Sequence, residues 1–298
     1  MSNHRTQEGS LGWAIDQAEL RNLPLSDIFL ERELRESGRS HADAWELLRT
    51  RLAVMRASHG RGLREPQVSR SGLLDGGAHK LQAFSESGQS LLGPAFTRLI
   101  AGALAVGEVN ACMGRVVAAP TAGSCGVLPS VLFTVEETRQ LPEEALLRGL
   151  LTAGGIGLAV ERIATLSGAE GGCQAEVGAA SAMAAGALVE MAGGTPRQVG
   201  HAVSTALGNV LGLICDPVMG LVEVPCVYRN AMGAANAYTA AEIALAGIPS
   251  HFDPDDVIET MGRVGRRLPE DFRETAKGGL ATLYQPSQGS GCRGRCHT

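Results

Sequence analysis

The sequence predicts an all-α fold: a compact bundle of Ala/Gly-rich helices with an amphipathic helical segment at the N-terminal end. Three observations carry this expectation. Apolar residues recur at helical spacing through the first sixty positions. Alternating runs rich in β-branched residues are scarce. From residue 88 onward the chain turns rich in alanine and glycine, which lets helices pack backbone against backbone.

The elements follow in order. Ser26 is placed to cap a helix through Ile28, Phe29, Leu30 and Leu34, with Leu25 as a staple and Gly38 as the stop. Ser40 caps the next, in which Ala44, Leu48, Leu52 and Met55 repeat before Gly60. Residues 61–80, RGLREPQVSRSGLLDGGAHK, carry the glycine, serine and charge of a loop or a series of turns. Gly154-Gly155-Ile156-Gly157 lacks both a preceding strand and the spacing of a phosphate loop, so close helix packing or a helix break explains it. Thr195-Pro196-Arg197-Gln198 is a capping box with proline at the first helical position, opening a helix to about Gly212. Asp253-Pro254-Asp255-Asp256 repeats that logic for Val257, Ile258, Met261 and Val264. The tail from about residue 285, QPSQGSGCRGRCHT, is polar and glycine-rich and reads as flexible.

Composition bounds the rest. The 298 residues are 44% hydrophobic and 19% charged, enough for a full core, and read as one domain over 1–298 with a helical segment over 1–60. A net charge of -5 gives no electrostatic reason to expect a nucleic-acid or membrane partner. No secretory h-region opens the chain and no apolar run reaches about 18 residues, so a cytoplasmic protein is expected. Seven cysteines, an odd number without a CxxC pair, argue against a disulfide framework or a zinc ribbon. The two lysines, Lys80 and Lys277, are the only residues that could form a Schiff base.

Three cysteines share an unusual context. Cys173 follows two glycines at the start of a helix, Cys215 ends a helix before Asp216-Pro217, and Cys226 follows Pro225. A helix N-terminus favours a thiolate at Cys173. The spacing matches no ferredoxin run, so metal ligands and buried core thiols both remain open at this level.

Five stretches add a resemblance: SRSGLLDGGAHKLQ (69–82), APTAGSCGVLPSVL (119–132), SGAEGGCQAEVGAASAMAAG (167–186), LGLICDPVMGLVEVPCVYRNAMGAANA (211–237) and FRETAKGGLA (272–281). In this order they resemble the catalytic α chain of the iron–sulfur-dependent L-serine dehydratases, over residues 20 to 281. The resemblance implies a [4Fe–4S] cluster on Cys173, Cys215 and Cys226, with one iron left as a Lewis acid for the serine hydroxyl. The products implied are pyruvate and ammonia. It implies no pyridoxal phosphate, and neither lysine lies in a pyridoxal-type lysine motif. It also implies a separate β subunit, because the β domain of single-chain relatives is absent here, and a higher assembly. In such relatives a C-terminal cysteine serves as a removable fourth ligand; here the tail differs, and Cys292 or Cys296 are the candidates for that role beside an idle CxxxC tail.

Other residues carry weaker expectations. Thr121, Gly123 and Ser124 suit a substrate carboxylate, or are a plain turn; Asn230 is a candidate for the same task, or a helix cap. His79 and Lys80 are candidates for the base, or belong to a solvated loop. Arg229 pairs with a carboxylate of substrate or of the protein, and Glu170 and Glu176 flank Cys173 as supporting or exposed carboxylates. Cys125 reads as a core or site-lining thiol, Cys112 as core, and His201 as a packed or surface residue. The rival functions are a cluster-bearing L-cysteine desulfidase, an iron–sulfur sensor or electron carrier, and a catalytically idle scaffold subunit.

Overall fold

The computed structural model describes residues 7–284, and within them the fold is all-α. Cys292, Cys296 and the whole segment expected to be a flexible tail lie outside the described residues.

Twelve α-helices follow one another: α1 (Leu11–Arg21), α2 (Leu25–Ser37), α3 (His41–Arg64), α4 (Gly77–Glu86), α5 (Pro94–Ala111), α6 (Val127–Arg139), α7 (Glu143–Ile163), α8 (Gly168–Gly171), α9 (Ala179–Met191), α10 (Pro196–Gly208), α11 (Cys226–Leu245) and α12 (Pro254–Arg267). Helix α9 is the axis. Its sequence, AASAMAAGALVEM, is buried on almost every side, and α6, α7, α10 and α11 pack around it. A helix apolar all round belongs in the centre of a core. Helix α5 lies against α11 on one side and against α3 and α4 on another, while α1 and α2 cover α7 and α10. No described helix is long and apolar enough to cross a membrane.

The caps at Ser40, Thr195 and Asp253 form as the sequence predicts, with each side chain accepting from the first-turn backbone. Gly38 terminates α2 in the left-handed region, φ 68°. Gly155 lies inside α7 against the Phe29 ring, so the glycine run serves helix packing.

Four local expectations are corrected. Ser26 does not cap α2; Pro24 does, and the helix begins at Leu25. Pro24 supplies the extended entry without a side-chain bond, and Ser26 turns to the core instead: its N–H donates to Glu190 at 3.1 Å and its hydroxyl accepts from Arg148 at 3.2 Å. Helix α3 runs past Gly60 to Arg64, because Gly62 is the point where α3 crosses the Ala105 backbone of α5 rather than a terminator. The loop therefore shrinks to 65–76, and α4 takes up His79 and Lys80. Helix α10 stops at Gly208, well short of Gly212.

Candidate functional site

The segment from Ser167 to Gly178 sets the site. After the single turn of α8, Gly172 adopts φ 76° and passes the chain over Leu213 and Leu268. Cys173 then opens a π-helical turn, Gln174–Gly178, which runs directly into α9. Such wide turns inside helices are frequent at functional sites. Gln174 explains how distant chain arrives there. Fully buried, it donates from Nε2 to Gly171 O at 2.9 Å and to Met261 O at 3.3 Å. Its Oε1 accepts from Gly212 N at 2.8 Å, and its own N–H donates to Leu213 O at 3.1 Å.

Those bonds hold the Cys215 segment beside Cys173. Cys215 does not end a helix as expected; it lies in extended chain, its N–H donating to Phe272 O at 2.8 Å and its O accepting from Glu274 N at 2.9 Å. Cys226 is the first residue of α11, where the chain leaves Pro225. One turn on, Asn230 is buried and bridges two segments. Its Nδ2 donates to Cys226 O at 2.9 Å and to Gly123 O at 2.8 Å, and its Oδ1 accepts from Gly126 N at 2.8 Å. Asn230 is therefore an internal tie, and Pro225 rather than Asn230 caps α11.

Cys173, Cys215 and Cys226 are all reduced, and only 3%, 3% and 9% exposed. Their thiols sense one another. Burial pushes Cys173 up to about 11, with Arg229 opposing the rise. Burial pushes Cys226 up to about 12 and raises Cys215 further, each also raised by Cys173 and Glu176. Among the described residues no three His, Cys, Asp or Glu side chains stand close enough to clasp one metal ion. A polynuclear iron–sulfur group places its thiolates on separate irons and takes soft donors on a shielded site. Three buried thiols from three separate segments, with a guanidinium nearby, fit that donor set.

The remaining candidates fall into place around them. Thr121 and Ser124 form a reciprocal cap on the turn Ala122–Ser124, and Thr121 Oγ1 also donates to Glu176 Oε1 at 2.7 Å. Gly123 lies beside the same carboxylate. Glu176 faces Cys215, whose thiol donates to its Oε2 at 3.8 Å, and burial raises its carboxyl above the usual range. Arg229 pairs with Asp216 at 2.8 Å. His79 bonds Leu63 O at 3.1 Å through Nδ1, and Lys80 pairs with Asp75 at 2.6 Å on the exposed side of α4. Among the described residues no bond links either to Cys173, Cys215 or Cys226. Glu170 is exposed and takes a hydrogen bond from Thr165. Cys125 is fully buried and pushed up to about 12, a core thiol. Cys112 is not core; it caps the end of α5 and is partly exposed. His201 is partly buried on α10, away from the cysteine cluster.

Sequence reasoning missed two carboxylates. Asp216 is 1% exposed beside Cys215. Glu274 stands at φ 63° with its N–H on Cys215 O, and its charge is felt by both Cys215 and Glu176. The FRETAKGG stretch was the available signal.

Comparison with known proteins is consistent along the chain. The pattern of the family described as serine dehydratase alpha chain matches residues 20–281. A protein of Bacillus subtilis named probable L-serine dehydratase, alpha chain, is 49% identical over 90% of this chain and 89% of its own. The L-serine dehydratase alpha chain of Peptoniphilus asaccharolyticus is 44% identical over 90% of this chain and 91% of its own. A longer L-serine dehydratase of Streptomyces coelicolor is 42% identical, and the match covers 87% of this chain but 57% of that protein. The chain belongs to the serine dehydratase alpha chain family.

Proposed function

We propose that this chain is the α subunit of an L-serine dehydratase, converting L-serine to pyruvate and ammonia on a [4Fe–4S] cluster held by Cys173, Cys215 and Cys226. The observation that carries the reading is the convergence of three reduced, buried thiols from three chain segments in a member of this family. When bound, such a group supplies an open Lewis-acid iron for the departing hydroxyl.

The chain's own residues suit an amino-acid substrate. Glu176, fixed by Thr121, and Glu274 place two carboxylates near Cys215, a seat for the substrate ammonium. Gly123 keeps side-chain bulk away from Glu176, leaving room above it. Loss of the Cα proton and the β-hydroxyl as water leaves aminoacrylate, which tautomerises to the imine and hydrolyses to pyruvate and ammonia. Both lysines are exposed and ion-paired, Lys80 with Asp75 and Lys277 with Glu270, which supports a route without a Schiff base or pyridoxal phosphate. The Bacillus and Peptoniphilus relatives are named as alpha chains, which supports a separate β partner. A cytoplasmic setting, where thiols stay reduced, suits the site.

Anaerobic reconstitution with iron and sulfide, with and without a β subunit, tests this. Pyruvate release from L-serine well above that from L-cysteine is expected, and Cys173→Ala, Cys215→Ala or Cys226→Ala should each abolish cluster and turnover. Preference for L-cysteine would favour the desulfidase. Retention of the cluster by all three variants would overturn the ligand assignment.

A further inference from the structure

Asp216 and Arg229 join more of the site than either residue alone suggests. The Asp216 carboxylate is almost wholly buried, and its two oxygens serve different segments. Oδ1 pairs with Arg229 Nη2 at 2.8 Å, and Oδ2 accepts from Leu280 N at 2.7 Å. Arg229, on the first turn of α11 after Cys226, donates from Nη1 to Ile214 O at 2.9 Å, and its charge acts on the Cys173 thiol. One ion pair therefore touches the chain on both sides of Cys215, the helix that begins at Cys226, and Leu280, with its cation acting on Cys173. The stretch between is fastened as well, since Cys215 exchanges backbone hydrogen bonds with Phe272 and Glu274. Residues 272–280 thus lie as a strap along the Cys215 segment.

A buried ion pair is a poor way to gain stability, because both charges lose their water. What it offers is fixed geometry. The planar guanidinium presents separate N–H donors in set directions, so it can serve Ile214 O and Asp216 at once; a lysine ammonium on a flexible stem cannot hold that arrangement.

We propose that Arg229 and Asp216 are positioning residues that form one clasp, closing the 272–280 strap on the Cys215 segment and holding the three cysteines in register. The part that concerns cluster loading rests on the function proposed above; the closure of the strap does not.

The test uses the full, cluster-free chain under reducing conditions. Limited trypsin digestion followed by mass spectrometry reads cleavage after Arg273 and Lys277, the two basic residues within the strap. Asp216→Ala and Arg229→Met should raise cleavage there about tenfold or more, with helical circular dichroism unchanged. Arg229→Lys, which keeps the charge and most of the bulk, should also raise it. Arg197→Gln, which removes an exposed pair with Glu19 on α10, should leave it unchanged. Anaerobic reconstitution supplies the second readout: the clasp variants should retain less than half the iron and sulfide of the parent and show an altered electron paramagnetic resonance signal. Unchanged strap cleavage in Arg229→Lys and one further folded clasp variant would overturn the clasp. Raised cleavage in a parent that never takes up a cluster would uphold the clasp and sink the cluster reading instead.

Discussion

Gly279 lies directly against Asp216: a β-carbon at position 279 would overlap the Asp216 carboxylate, and the backbone there is left-handed at φ 61°. Both features demand glycine, and they come at the residue before Leu280, whose N–H meets that carboxylate. Gly279→Ala should therefore cost about 1–3 kcal/mol, combining backbone strain with overlap at a buried group. Gly193→Ala separates the two effects, since Gly193 has φ 82° but open space around it, and should cost about 1 kcal/mol from strain alone. Urea midpoints of both variants measure the difference. Equal losses would show that the Asp216 contact is slack.

Much of this site was legible in the sequence, and the part that was not has a common cause. The caps at Ser40, Thr195 and Asp253 depend on atoms within one turn, so short motifs reveal them. The cysteines stood out through their neighbours, Gly-Gly before Cys173 and proline near Cys215 and Cys226. Glu274 and Asp216 acquire their roles only when chain segments far apart in sequence meet, Leu280 N reaching Asp216 across 64 residues, which no local pattern encodes. Cys215 was misplaced for the same reason. Its position is set by Gln174 accepting from Gly212, a bond across 38 residues, rather than by where α10 stops. The misread loop at 61–80 follows from treating Gly60 as a stop, when the helix runs on to Arg64 and Gly62 is a contact with α5.

Asn230 gives a prediction for the opposite wall. Its amide satisfies Gly123 O, Cys226 O and Gly126 N while 1% exposed. Asn230→Ala leaves all three without that partner and should cost about 2–4 kcal/mol. Asn230→Asp preserves the acceptor for Gly126 but turns a carboxylate oxygen toward two carbonyls. It should be at least as damaging at neutral pH, and partly relieved on acidification, when the acid can donate once. Thermal melts at pH 7 and pH 5 compare them. An aspartate variant as stable as the parent at pH 7 would contradict the assigned amide orientation.

His59 predicts an acid-sensitive term remote from the site. The partly buried ring meets Phe133 edge-on at 5.1 Å, and burial together with Arg56 lowers its ionisation to about 4, against a small opposing pull from Glu136. Between pH 6.5 and 4 the unfolded chain takes this proton and the folded chain does not. The stabilisation is thus complete above pH 6.5 and lost as pH falls, by about 1.4 kcal/mol per unit and roughly 3 kcal/mol at pH 4. The raised carboxyls of Glu190 and Asp255 act in the opposite sense. They are common to parent and variant, and cancel in a comparison. His59→Gln should flatten the fall in urea midpoint between pH 7 and 4.5; parallel curves would show that His59 is freely protonated in the native state.

Two glycines on α3 should respond oppositely to the same substitution. Both lie inside the helix, where alanine is favoured over glycine by roughly 1 kcal/mol through its smaller loss of backbone freedom. At Gly60 the added methyl meets only the mobile end of Arg64, so Gly60→Ala should stabilise by about 0.5–1 kcal/mol. At Gly62 it overlaps the Ala105 backbone of α5, which cannot turn aside as a side chain can. The helices must separate, and Gly62→Ala should destabilise by about 1–3 kcal/mol despite its better propensity. Because α5 also packs against α11, which begins with Cys226, that separation should reach the site. Gly62→Ala should therefore lower iron retention after anaerobic reconstitution, whereas Gly60→Ala should not. If both variants gained stability, the α3–α5 crossing would be looser than the packing at Gly62 requires.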